Sequence, residues 1–142
     1  MTEVATSLDL GADLLSVRRI GPWLSELLDG LPAAEAGALH GRLELAVHEV
    51  CVNIVEHAGV ADGDVLGLRG DVTLDAVTVR VTGPGMPIDP ALIPEPRPSE
   101  PQIRGYGLMI VRRLVDRLEC RADGGRAVWM LRVDRDGKGT GR

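Results

Sequence analysis

Leu43, Ala46, Val47, Val50, Cys51, Ile54, Val55 and Ala58 stand at offsets of 0, 3, 4, 7, 8, 11, 12 and 15, which is a single apolar stripe over four helical turns. This pattern predicts a helix from Arg42 to Ala58 with one face in the core, and Gly59 can supply its C-terminal cap. Glu49, Asn53 and His57 are spaced by four and line up just beside the stripe, at the rim of the buried face. A polar group left unsatisfied at such an edge costs about 1–3 kcal/mol, so these side chains call for partners.

Around that helix the periodicity changes. Val4, Thr6, Leu8 and Leu10 alternate as in a strand. Leu14, Val17, Ile20, Leu24, Leu27 and Leu28 recur at helical steps, with Gly21-Pro22 expected to kink or divide that helix. Val72 and Leu74, then Val77, Val79 and Val81, read as two antiparallel strands turning at Asp75-Ala76. Leu108, Val111, Leu114, Val115 and Leu118 predict another helix, and the runs flanking Asp123-Gly124-Gly125 predict a closing hairpin. Between Gly85 and Gly105 the chain carries six prolines and no periodic pattern, the mark of a functional lid at about residues 86–104. One domain over residues 1–134 and a fraying polar tail over 135–142 complete the expected organisation.

Charge and composition remove several classes of function. Sixteen lysines and arginines against 21 aspartates and glutamates give a net charge of −5, the wrong sign for binding a nucleic-acid backbone. Trp23, Tyr106 and Trp129 are too few for a base-stacking platform. No run of about 18 apolar residues is present to span a membrane. Met1-Thr2-Glu3-Val4 lacks the basic and apolar regions of a secretory signal, and the two cysteines, Cys51 and Cys120, are not in a paired metal spacing, so a reducing cytoplasm is the expected setting.

Two glycine pairs bracket the lid: Gly83-Pro84-Gly85 after a predicted strand, and Gly105-Tyr106-Gly107 before a predicted helix. Taken singly, each reads first as an ordinary turn or helix entry, and second as bare backbone that lets a ligand approach, the helix start offering free amides to phosphate. Ile88 and Ile110 occupy the third glycine position of a dinucleotide fingerprint, and Arg132 stands where a P-loop before Gly137-Lys138 needs glycine. Val52 interrupts a zinc-protease His-Glu-x-x-His beginning at His48. For Glu49 and Asn53 two readings stay open. They are either a polar flank in routine hydrogen bonds, or a carboxylate that activates a hydroxyl beside an amide oxygen suited to Mg²⁺.

In order along the chain, these parts resemble one family. The run from Glu44 to Ala58 is similar to the N box of the GHKL ATPase superfamily, in the form found in bacterial anti-sigma-factor serine kinases. Gly83-Pro84-Gly85 resembles its first glycine box, the segment from Arg104 to Val111 its second, and Gly124-Gly125 its third. The resemblance implies a two-layer α/β sandwich, a mixed and mainly antiparallel sheet with helices on one face. It implies ATP and Mg²⁺ as ligands, with Glu49 as general base and Asn53 on the metal. His57, Val81, Gly83 and Gly85 would line the nucleotide site from one side, and Arg104, Gly105, Gly107 and Leu108 from the other. It further implies a sigma factor and an anti-anti-sigma (STAS-type) protein as partners, contact through Arg18, and a homodimer. Two positions depart from the family. Val81 stands where the family has the aspartate that binds the adenine amino group, and Arg126-Ala127 follows the third box, where threonine is common. A sigma-binding module without kinase activity is therefore the alternative; a detached sensor-kinase domain would need a histidine-bearing dimerisation helix that the sequence lacks.

Overall fold

The computed structural model describes residues 3–92 and 106–135. Five strands, β1 (Val4–Gly11), β2 (Val65–Val72), β3 (Ala76–Gly83), β4 (Arg117–Asp123) and β5 (Arg126–Asp134), form one sheet in the order β1-β2-β3-β5-β4. All neighbours are antiparallel. Three helices, α1 (Ile20–Leu27), α2 (Ala33–His57) and α3 (Tyr106–Leu114), cover one face. The architecture is the expected two-layer α/β sandwich.

Strand alternation explains why the helices take one face only. On β3 the odd residues Val77, Val79 and Val81 are fully buried, while Arg80 between them is exposed. Across the sheet Val81 pairs with Leu68 and Trp129, all buried, and Arg80 pairs with Arg69 and Met130 on the uncovered side. The apolar stripe of α2 lies in that interior, with Leu43, Ala46, Val47, Val50 and Cys51 at zero exposure. Burial pushes the Cys51 thiol up to about 12, so it packs as a small hydrophobe.

Several boundaries differ from the sequence reading. The first helix is divided ahead of Gly21: a 3-10 turn, Ser16–Arg19, precedes α1, and Pro22 falls in the first turn of α1, where its missing amide has no helical acceptor to lose. Helix α2 begins at Ala33, nine residues before Arg42, because alanines and Glu35 favour helix there although Leu39 is the only fully apolar-facing anchor before Leu43. Strand β2 starts at Val65 and ends at Val72, leaving Leu74 exposed in the turn. Its inward pattern runs Leu66, Leu68, Gly70, Val72, with the gap at Gly70 filled by Leu27 and by Trp23, whose ring would stand 3.1 Å from a Cβ there. Helix α3 stops at Leu114 rather than Leu118, since Asp116 donates its amide to Arg132 O at 2.8 Å and draws the chain into the sheet.

Arg135, expected in the fraying tail, is anchored instead. Its guanidinium donates to both carboxylate oxygens of Glu35 at 2.8 and 3.0 Å and to Thr73 O at 2.9 Å. Of the expected lid, residues 93–104 lie outside the described residues, as do tail residues 136–142.

Candidate functional site

The polar edge of α2 stays clear of the core. Glu49 keeps a quarter of its side chain exposed, Asn53 is half-buried and His57 is exposed. Glu49 Oε2 lies 3.8 Å from His48 Nδ1, an ion pair only when the imidazole is protonated. The Asn53 carboxamide and the His57 ring have no hydrogen-bond or ionic partner among the described residues. Leu108 is buried behind this edge, in the first turns of α3.

Both glycine segments close on this edge. At the end of β3, Gly83 sits under Ile54 and Leu66, where a Cβ would come within 2.8 Å of Leu66 Cδ2. Gly85 has φ +116°, and a Cβ on it would stand 2.9 Å from Ala58 Cβ. Only glycine meets both demands there. From the other side, Gly107 at the start of α3 lies so close to Glu49 that a Cβ would collide with its carboxylate. The two segments therefore touch α2 at Glu49 and at Ile54 and Ala58, and Asn53 sits on the helix between these contacts. Arg104 and Gly105 lie outside the described residues, and of Tyr106 only its place as the first residue of α3 is described.

Other expected positions are more ordinary. Val81 is wholly buried on the helix-covered side, and among the described residues no polar or charged residue is buried. The interior beside the first glycine segment thus offers no polar side chain to a base. Arg126 is exposed and donates to Val65 O at 2.8 Å, so it ties the last hairpin to β2. Gly124 and Gly125, at φ +60° and +84°, form the hairpin turn with open space around them. Arg18 is exposed in the 3-10 turn ahead of α1. Among the described residues no group of three or more metal-binding side chains is gathered, and no helix is long and apolar enough to cross a membrane.

The sequence reading passed over one neighbour of the site. Arg42 Nε donates to the carbonyl oxygen of Leu114, the last residue of α3, at 2.8 Å. Its seven-residue spacing from Glu49 was the available signal, since two turns return to the same helix face.

Residues 10–132 match the family model described as histidine kinase-like ATPase domain. The chain belongs to this family. Membership in an ATPase family implies ATP binding. Two solved structures share the fold of this histidine kinase-like domain. One holds the RsbU and RsbW domains of Rv1364c from Mycobacterium tuberculosis, at 20% identity and a TM-score of 0.59 over 94% of the chain. The other is the histidine kinase domain of a blue-light activated histidine kinase from Erythrobacter litoralis EL346, at 22% identity and a TM-score of 0.53 over 89% of the chain. The present chain spans 33% of the first and 63% of the second. No curated protein matches the sequence.

Within this family assignment, Asn53 fits a hard divalent cation. It offers an uncharged amide oxygen that no group among the described residues occupies, one turn from a carboxylate.

Proposed function

We propose that this histidine kinase-like ATPase domain, residues 1–134, is an anti-sigma regulatory kinase. It binds Mg-ATP at the edge of α2 and transfers the γ-phosphoryl group to a serine of an anti-anti-sigma, STAS-type partner. The observation that carries this reading is the approach of two glycine segments to α2, the one after β3 at Ile54 and Ala58 and the one opening α3 at Glu49, with Asn53 on the helix between these contacts. Likeness in fold to a chain holding an RsbW domain supports the partner-switching context.

The chemistry follows from the side chains. Glu49 accepts the proton of the serine hydroxyl as its oxygen attacks the γ-phosphorus; the bond to the bridging oxygen breaks, leaving phosphoserine and ADP. Asn53 holds the magnesium ion, which when bound offsets charge on the phosphate oxygens. The Gly107 backbone near the start of α3, which carries no side chain of its own, faces the phosphates. Val81 gives the adenine amino group no acceptor, so ATP binds about tenfold to a hundredfold more weakly than it would with the family's aspartate. Arg18 and the exposed Leu14 and Leu15 beside it form the contact for a sigma factor in a cytoplasmic homodimer.

A second reading is a binding module without kinase activity, favoured by the buried Val81 and by an interior that holds no buried polar side chain among the described residues. Radiolabel transfer from Mg-ATP to a STAS-domain partner separates the two. On the kinase reading the partner is labelled, and Glu49→Gln lowers the rate about a hundredfold or more. Labelling indifferent to Glu49→Gln removes the proposed base. No labelling by a chain that still binds its partner favours the module.

A further inference from the structure

Helix α3 packs along α2, and two of their contacts stand seven residues apart on each helix. Gly107 lies against Glu49, and Leu114 receives the hydrogen bond from Arg42. Seven residues make two turns, about 10 Å, so the helices run antiparallel with these contacts at either end of a shared seam. The first contact has no side chain on the α3 side; the second is a directed hydrogen bond, which adds to the apolar packing of Leu108 and Val111 a sharper hold on the position of the helix along its axis.

Leu114 O is one of the terminal carbonyls that no amide of its own helix reaches, and the Arg42 Nε–H supplies the donor it lacks. Arg42 Nη2 also lies 3.4 Å from Asp116 Oδ1. Asp116 Oδ2 accepts the Asp134 amide at 2.7 Å, and the Asp116 amide donates to Arg132 O. One side chain on α2 thus grips the end of α3 and, through Asp116, strand β5.

We propose that Arg42 is a positioning residue for the nucleotide site: it sets the axial position of α3, and with it the placement of the Gly107 backbone beside Glu49. Its consequence for ATP rests on the nucleotide reading above, whereas the placement itself does not. Arg42 does not reach Glu49, two turns away along the helix, and acts only through α3.

Three variants of the full chain test this. Arg42→Met keeps the apolar stem and removes every donor. Arg42→Gln keeps an amide donor at the position of Nε but loses the charge. Arg42→Lys keeps the charge but carries its ammonium one atom beyond Nε. The expected result is that Arg42→Met and Arg42→Lys shift the Gly107 amide resonance and weaken Mg-ATP binding about tenfold, while Arg42→Gln leaves the resonance near that of the parent and the affinity within about threefold. A folded Arg42→Met with Gly107 unmoved overturns the proposal. So does Arg42→Gln behaving worse than Arg42→Lys, which would make the effect one of charge, screened by salt over about 8 Å. If Arg42→Met does not fold, the order of Gln and Lys decides alone. If the parent chain binds no Mg-ATP, the nucleotide reading fails, and the Gly107 resonance still judges the positioning.

Discussion

The two halves of α2 use their polar side chains in opposite ways. In the first half, Glu35 takes two bonds from Arg135, His40 Nε2 lies 2.9 Å from Gly21 O, and Arg42 holds Leu114 O and Asp116. In the second half, Asn53 and His57 meet no partner among the described residues, and Glu49 has only the 3.8 Å approach of His48. The first half is framework, joining α1, α3 and the end of β5. Among the described residues, the second half is left with hydrogen-bonding capacity that no protein group takes up, beside the bare backbone of Gly85 and Gly107. Water or a ligand can satisfy such a solvent-accessible edge.

The contrast can be broken by mutation. The largest effect on stability is expected at the glycine that lets the chain close on the second half. Gly85→Ala places a Cβ at 2.9 Å from Ala58 in a conformation, φ +116°, that side chains rarely adopt, and should cost about 2–3 kcal/mol in denaturant unfolding. A loss under about 0.5 kcal/mol would mean the close approach to Ala58 is not kept in solution. Next comes the framework half. The Arg135 guanidinium beside Glu35 holds its carboxyl below the usual carboxylate range, and the same pairing raises Arg135. Glu35→Gln should cost about 1–2 kcal/mol near neutral pH. A carboxyl with a depressed folded-state pKa stabilises fully above its unfolded value, near 4.3, and loses that contribution as pH falls through the folded value. The gap between parent and variant should therefore close in acid; a gap that persists there would assign the loss to packing. Smallest is Asn53→Ala, expected within about 0.5 kcal/mol of the parent, because no protein partner is orphaned. A large loss would return Asn53 to the framework.

Much of this was legible in the sequence. The stripe from Leu43 to Ala58 and its polar flank appear where spacing put them, since a 3.6-residue period on one helix needs no knowledge of the rest of the fold. The alternation of Val77, Val79 and Val81 likewise marks the covered face of the sheet. The start of α2 was hidden because Ala33 to Gly41 carries little apolar surface to pattern. The full length of β2 was hidden because the gap at Gly70 is filled by Trp23 and Leu27, from another element. Arg42, Asp116 and Arg135 owe their roles to partners 72, 18 and 100 residues away, and charged residues on exposed faces look alike until the topology pairs them.

Calorimetric titration of the chain with Mg-ATP, alongside Asn53→Ala and a run without magnesium, addresses the site itself. If the half-buried amide and the flanking glycine backbone form a triphosphate site, Mg-ATP gives a saturable heat that weakens about tenfold or more without Asn53 or without the metal. No heat at millimolar Mg-ATP, or a heat indifferent to both, would contradict it.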